Sequence, residues 1–256
     1  MSVLPQGVLV TRPDPEGSIL CQRLEDAGIP AFHLQTISFA SAPHPDEFAQ
    51  AIECLGEQDW LIFISPQAVY ASLPAIQQRW RAFPETVKIA AIGAGSAQAL
   101  EKAGYQVDIY PSANWNSEGL LNLPVFKNIK DQHVAIIRGL GGRELLDHML
   151  AERGAHVLPV IAYERLLPQV DMTPYLALLR DARLFAIICA SFEGVKNLKS
   201  LFGPSVWPTL KQIDLIVVSE RIKILAQDLG FQTIWVAQNA SPDAILELLA
   251  QRRKIT

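Results

Sequence analysis

Val8-Leu9-Val10-Thr11-Arg12-Pro13 returns further along the chain as Val134-Ala135-Ile136-Ile137-Arg138-Gly139. In each copy a short apolar run ends on an arginine beside a turn-forming residue. The two arginines stand 126 positions apart (138 − 12). The same offset relates Gly28 to Gly154 and Leu34 to Val160. It also relates Lys88-Ile89-Ala90-Ala91-Ile92 to Asp214-Leu215-Ile216-Val217-Val218. Val107-Asp108-Ile109 answers to Thr233-Ile234-Trp235, and Ser117 to Ser241 at the slightly shorter spacing of 124 (241 − 117). One spacing held from end to end marks an internal duplication, and two repeats of this length make two domains rather than a solenoid.

Within each repeat, short apolar runs alternate with longer amphipathic ones. Val8-Leu9-Val10 reads as a strand, followed by helical spacing from Glu16 to Ala27 that Gly28 ends. Phe32 to Phe39 reads as extended, and Trp60-Leu61-Ile62-Phe63-Ile64 as a buried strand before a helix at Ser65-Pro66. Lys88–Ile92, Val107–Ile109 and Val134–Ile137 are further strands. Helices are expected at Ser96–Ala103, from Ser117, and at Arg143–Arg153. Strands that are apolar on both faces, alternating with helices, predict doubly wound parallel sheets. The extended stretches Leu34–Phe39 and Val160–Leu167 hold equivalent places in the repeats, so both are candidates for strands crossing between domains. Two crossings would make one domain discontinuous, and relative domain movement is then the default expectation.

Composition narrows the function classes. Half of the 256 residues are hydrophobic, charged residues make up 19%, and the formal net charge is −4. A general nucleic-acid binder would usually carry a basic stripe instead. No run of about 18 uncharged apolar residues suggests a membrane span. Met1-Ser2-Val3-Leu4-Pro5 lacks the basic start and apolar core of a signal peptide. Cys21, Cys54 and Cys189 have no CxxC spacing and read as buried small hydrophobes in a reducing cytoplasm. The histidines lack metal-ligand spacing, so no metal site is expected.

The candidate chemistry lies where strands meet helices. Ser65, Ser191 and Ser219 follow strands directly, and Ser117 and Ser241 follow after short loops. Each fits a helix cap. As a set they also fit anion binding, because ligands of open α/β sheets sit beyond the carboxyl ends of the strands, where helix starts offer free N–H groups. Gly93-Ala94-Gly95-Ser96 and Gly139-Leu140-Gly141-Gly142 follow strands too. Gln98 and Glu144 occupy the sixth positions of these runs, where a dinucleotide fingerprint needs a small residue. Arg12, Arg138 and Arg143 could grip carboxylates bidentately, or pair with near acids such as Glu16 and Glu144. Tyr163, in a candidate crossing strand, could pack between domains or act as a weak acid.

Taken together, these motifs resemble the uroporphyrinogen-III synthase family over essentially the whole chain. The resemblance rests on Val10-Thr11-Arg12-Pro13, Ala91-Ile92-Gly93, Ser117-Glu118-Gly119-Leu120-Leu121, Arg138 through Leu146, Tyr163, and Val217-Val218-Ser219-Glu220-Arg221. The Ser219-Glu220-Arg221 version is similar to the gammaproteobacterial branch. The resemblance implies two α/β domains joined by a two-stranded ladder: 1–36 with 167–256, and 40–161, with linkers at about 36–40 and 161–167. It implies closure of the linear tetrapyrrole hydroxymethylbilane with inversion of ring D and loss of water, a lyase reaction of haem biosynthesis that uses no metal or organic cofactor. Tyr163 is then the residue that assists departure of the hydroxyl. Ser65, Gly93, Ser96, Ser117, Ser191 and Ser219 become cleft positions, with Glu118, Gly139 and Gly142 beside them. Arg12, Arg138 and Arg143 contact substrate or order its loops. A cytoplasmic monomer is implied, with no nucleic-acid or membrane partner and with transient docking to hydroxymethylbilane synthase.

The sequence departs from the common family pattern at Ile64-Ser65 and Ala190-Ser191, where many relatives have Thr-Ser, and at Ser219-Glu220-Arg221-Ile222 in place of Gly-Pro-x-Thr. The rival reading from another class is a non-catalytic two-domain protein that binds or senses a polyanionic metabolite. A nucleotide-dependent enzyme is disfavoured by the failed glycine fingerprints.

Overall fold

The computed structural model describes residues 6–141 and 144–253. In chain order the strands are β1 (Gly7–Val10), β2 (Ala31–His33), β3 (Ser38–Ser41), β4 (Trp60–Phe63), β5 (Lys88–Ala91), β6 (His133–Gly139), β7 (His156–Leu166), β8 (Leu184–Cys189), β9 (Asp214–Val217) and β10 (Ile234–Val236). The helices are α1 (Glu16–Asp26), α2 (Pro45–Glu53), α3 (Pro66–Arg79), α4 (Ala94–Lys102), α5 (Ser117–Leu121), α6 (Pro124–Lys127), α7 (Leu145–Glu152), α8 (Thr173–Arg180), α9 (Phe192–Leu210), α10 (Glu220–Asp228) and α11 (Pro242–Arg253). A short 3-10 turn, Cys54–Glu57, follows α2.

The chain divides into two compact units, one made of the segments ending at Ser38 and beginning at Leu166, the other of Phe39–Arg165. The first holds a five-stranded sheet in the order β2-β1-β8-β9-β10, and every neighbouring pair in it is parallel. The second holds the order β3-β7-β6-β4-β5, parallel from β7 through β5. At the 126-residue offset β1 answers to β6, β4 to β8 and β5 to β9. The two sheets therefore share the order of four strands, β2-β1-β8-β9 in one and β7-β6-β4-β5 in the other, and each takes strands from both repeats. The chain passes between the units at Ser38/Phe39 and Arg165/Leu166. There β3 lies beside β7, and the Ser38 hydroxyl donates to the Leu166 carbonyl at 3.2 Å.

The central strands are apolar on both faces because both faces are covered. β1 and β4 are buried at every position. In the first unit, Leu9, Ile187, Leu215 and Val217 pack with Val195, Leu198 and Phe202 of α9, while Val8, Val10, Ile188 and Ile216 pack on the other face with Leu20 and Leu24 of α1. In the second, Leu61, Phe63, Ile89 and Ile137 pack with Val69 and Ile76 of α3, and Ile62, Val134 and Ile136 pack oppositely with Leu120, Leu146 and Leu150. Helix ends repeat as well. Gly28 and Gly154 follow α1 and α7 with φ of +72° and +86°, and Gly104 and Gly230 follow α4 and α10 with +89° and +93°. Glycine reaches this left-handed region without the Cβ penalty.

Several local expectations need correction. Val107–Ile109 forms no strand of its own; Ile109 makes only an isolated parallel bridge to Ala90. That bridge still stands where β10 stands in the other sheet. Phe32–Phe39 is not one extended segment, since β2 ends at His33 and β3 starts at Ser38. The Thr36 N–H and hydroxyl both donate to the Thr11 carbonyl and bend the chain there. Of the cysteines only Cys189 is fully buried; Cys21 and Cys54 are half-buried. Burial, helped by Glu25 and Asp14, pushes the Cys21 thiol up to about 11, so it stays protonated and unreactive at neutral pH. α9 is broken at Gly203 (φ 73°), just before Pro204. Among the described residues no helix is long and apolar enough to cross a membrane.

Candidate active site

In a parallel sheet all strands finish at one edge, and the helix after each strand starts there. In the first unit that edge carries Arg12 after β1, Ser191 after β8 and Ser219 after β9. In the second it carries Ser65 after β4, Gly93 after β5, and Arg138 and Gly139 at the end of β6. Both strand orders change direction between β1 and β8 and between β6 and β4, the switch points where doubly wound folds bind ligands.

The serines cap as their spacing predicts. The Ala68 N–H donates to Ser65 Oγ at 3.0 Å, the Gly194 N–H to Ser191 Oγ at 2.9 Å, and the Ile222 N–H to Ser219 Oγ at 3.4 Å. Each of these residues is half-buried, with extended backbone. The remaining free N–H groups of the first turns, and the positive end of each helix, face outward from the edge. Gly93 starts α4; a Cβ there would lie 2.6 Å from Trp115 Cβ, so the glycine lets the Trp115 loop close over the helix start. Ser96 is inside α4 and buried, and its hydroxyl has no hydrogen-bond partner among the described residues.

The cap of α5 is Asn116, whose Oδ1 accepts from the Gly119 N–H at 2.8 Å. Ser117 is the first helical residue instead, with exposed Glu118 next to it. Asparagine is as good a cap as serine, so the Asn116-Ser117 pair left the cap ambiguous by residue type alone. Gly142 and Arg143 lie outside the described residues.

The arginines are committed within their own units. Arg12 donates from Nη1 to the Ala240 carbonyl at 2.6 Å, which ties the β1 loop to the start of α11. Burial lowers its pKa, with Glu16 opposing. Arg138 is buried and donates to Asp147 at 2.9 Å, with Glu144 3.8 Å away. Burial pushes the Asp147 carboxyl up, against the pull of Arg138.

Tyr163 is 1% exposed. An extra residue, Ala162, sits in β7 opposite the Arg138–Gly139 step, so Tyr163 pairs with Gly139. The phenol ring lies over Gly139, where a Cβ would meet its Cε2 at 2.5 Å. The Phe39 ring packs edge-to-face with it, centroids 5.4 Å apart, and the Arg165 guanidinium stands 5.5 Å from its centroid. Its hydroxyl is 3.2 Å from Ser65 Oγ, and Arg165 Nη2 donates to it at 3.1 Å. The Ser65–Tyr163–Arg165 string was not legible in the sequence, because 98 positions separate Ser65 from Tyr163. A hollow of about 540 Å³ in the same unit, lined by Trp80, Phe83 and Tyr105, opens at the opposite end of β5 and shares no residue with these groups.

Fold and site define a duplicated, doubly wound α/β protein whose sheet edges present serine-capped helix starts suited to an anionic ligand. The family model described as "HEM4: Uroporphyrinogen-III synthase HemD" matches residues 19–247. The chain is 36% identical over 245 residues to the uroporphyrinogen-III synthase of Escherichia coli K12, covering 94% of this chain and 99% of that one. It is 34% identical over 246 residues to the enzyme of that name from Salmonella typhimurium, with the same coverage. The chain belongs to the uroporphyrinogen-III synthase family. Its fold is similar to a crystal structure of a mutant uroporphyrinogen III synthase from Thermus thermophilus, with a TM-score of 0.61 at 15% identity over 97% of this chain and 99% of that one. It is equally similar to the synthetase from Helicobacter pylori, at 0.61 and 16% over 96% and 99%.

Proposed function

We propose that this chain is a cyclising hydro-lyase that converts hydroxymethylbilane to uroporphyrinogen III in the cytoplasm. The observation that carries this reading is the gathering of serine-capped helix starts at both sheet edges of a chain that belongs to this family. The substrate carries eight carboxylates, and the protein has a net charge of −4. Helix N-termini and backbone amides bind carboxylates without a large basic patch. Ser65, Gly93, Ser96, Ser117, Ser191 and Ser219 supply these groups, with Glu118, Gly139 and Gly142 as further candidates. Arg12 and Arg138 each hold the loops of their own unit in place, and Arg143 is a further candidate for substrate contact.

The chemistry asks little of the protein. Loss of the terminal hydroxyl is driven by the electron-rich pyrrole and yields an azafulvene, which ring D attacks at its substituted carbon. The resulting spiro centre fragments and recloses. Binding energy goes into holding the chain in the folded geometry that favours inversion, since the free intermediate closes to the uninverted isomer. Tyr163, through its pair with Ser65, assists departure of the hydroxyl. The protein acts as a monomer, and transient docking to hydroxymethylbilane synthase would shorten the life of the free substrate.

The test is an isomer assay. Freshly prepared hydroxymethylbilane is supplied with and without protein, and the products are oxidised and separated. Isomer III should dominate only with protein. An unchanged isomer ratio ends the catalytic reading and leaves the polyanion-binding one.

A further inference from the structure

Resting on that reading, we propose that Arg165, Tyr163 and Ser65 form a directed hydrogen-bond relay whose outward end, the Ser65 hydroxyl, meets the departing oxygen of the substrate. Tyr163 and Arg165 are then positioning residues.

The direction follows from donor and acceptor counting. A guanidinium has donors and no acceptor, so across the 3.1 Å contact Arg165 gives and the Tyr163 oxygen receives. The buried phenol still has a proton to place. Its hydroxyl sits 3.2 Å from Ser65 Oγ, whose lone pairs also take the Ala68 N–H at 3.0 Å. A buried donor left unmade is costly, so the Tyr163 O–H gives to Ser65. With both Ser65 lone pairs occupied, only its proton remains, and it can only be donated outward. Burial fits the same division, since Tyr163 is closed in by Gly139, Phe39 and Arg165, whereas Ser65 is half-exposed at the carboxyl edge of the sheet. Each donation polarises the next, so a cation at the inner end strengthens the donor at the outer end.

The proton balance closes. As the carbon–oxygen bond breaks, its electron pair leaves with the oxygen, which takes the Ser65 proton and departs as water. Ser65 takes the Tyr163 proton, and the phenolate is held beside the Arg165 guanidinium. The proton released when ring closure restores the aromatic pyrrole returns to it.

The experiment measures isomer III formation by wild type and by Ser65→Gly, Ser65→Thr, Tyr163→Phe, Arg165→Met and the Tyr163→Phe/Arg165→Met double variant. Wild type comes first: absence of isomer III above the spontaneous background refutes the catalytic reading on which the relay rests, whereas failure of the relay alone shows only among the variants of an active wild type. Glycine caps a helix nearly as well as serine, so Ser65→Gly keeps α3 while removing the hydroxyl. It should lower kcat by up to about 100-fold, the low end of general acid–base contributions, and Ser65→Thr should restore most of it. Tyr163→Phe should cost less, because Ser65 keeps its proton. Arg165→Met should lower kcat with Tyr163 present and add nothing to Tyr163→Phe, because Arg165 acts only through the phenol. Full kcat in Ser65→Gly, with Tyr163→Phe inactive, would mean that Tyr163 reaches substrate itself and overturns the relay. Additive losses in the double variant overturn the role of Arg165, as the ion-dependent end of the relay would then be acting elsewhere.

Discussion

Gly139 and Tyr163 show how one missing side chain places another. The phenol occupies the space in which a Cβ at position 139 would stand, 2.5 Å from its Cε2. Gly139→Ala should therefore overpack the end of β6. An overpacked core site costs about 1–3 kcal/mol, and the displaced ring would also lose Ser65. Urea denaturation should show a lower midpoint, and the isomer assay a lower kcat. A variant with both unchanged would mean that the ring has room to move and that the close approach is not what sets the Ser65 contact. The residue scale is also where sequence reading was weakest. Residue type singled out Tyr163, but not its burial, its partner Ser65 or the Arg165 guanidinium, because all three depend on the register of β7 on β6 and on the bulge at Ala162. The cap at Asn116 is ambiguous in the sequence for a milder reason: two good capping residues, Asn116 and Ser117, stand side by side.

Helix starts were far more legible, because a cap is made by residues within one turn of each other. Ser65, Ser191 and Ser219 sit where strand, serine and amphipathic run meet in the sequence, and each accepts from the N–H three residues on. This suggests a way to separate capping from ligand contact at Ser191. Ser191→Ala should cost about 1 kcal/mol of stability and Ser191→Gly only a few tenths. If the hydroxyl also meets substrate, both should raise KM alike. Thermal melts together with KM for the two variants decide the matter, and a KM that follows stability instead would leave Ser191 a cap alone. The least legible element was Val107–Ile109, whose alternation reads as a strand but which makes a single bridge to Ala90. A strand is completed by a neighbour, and at that sheet edge the chain leaves for the Trp115 loop instead.

For the whole molecule, the two units differ in how the chain builds them. Phe39–Arg165 is continuous and encloses its own core on both faces of its sheet. The other unit needs both chain ends. A segment with its own core and few dependencies should fold alone, so an excised 39–165 fragment should give near-ultraviolet circular dichroism and a cooperative urea transition. A fragment that is helical by far-ultraviolet signal but lacks fixed tertiary packing would show that the continuous unit depends on the rest of the chain.

The sequence by itself determined the alternation of strand and helix, the capping serines, the glycine helix ends and the duplication at an offset of 126, because each is written in local periodicity or in direct comparison of the chain with itself. The tertiary structure decided which strands became neighbours. β1 of the first repeat, with β2 on its other side, pairs with β8 of the second, and β6 of the second, with β7 on its other side, pairs with β4 of the first. Both sheets reach the same order of four strands by this exchange of segments. The physical reason is that a parallel strand is apolar on both faces wherever it lies, so its sequence says that it is buried and not beside which partner. The surroundings of Tyr163 follow from that pairing.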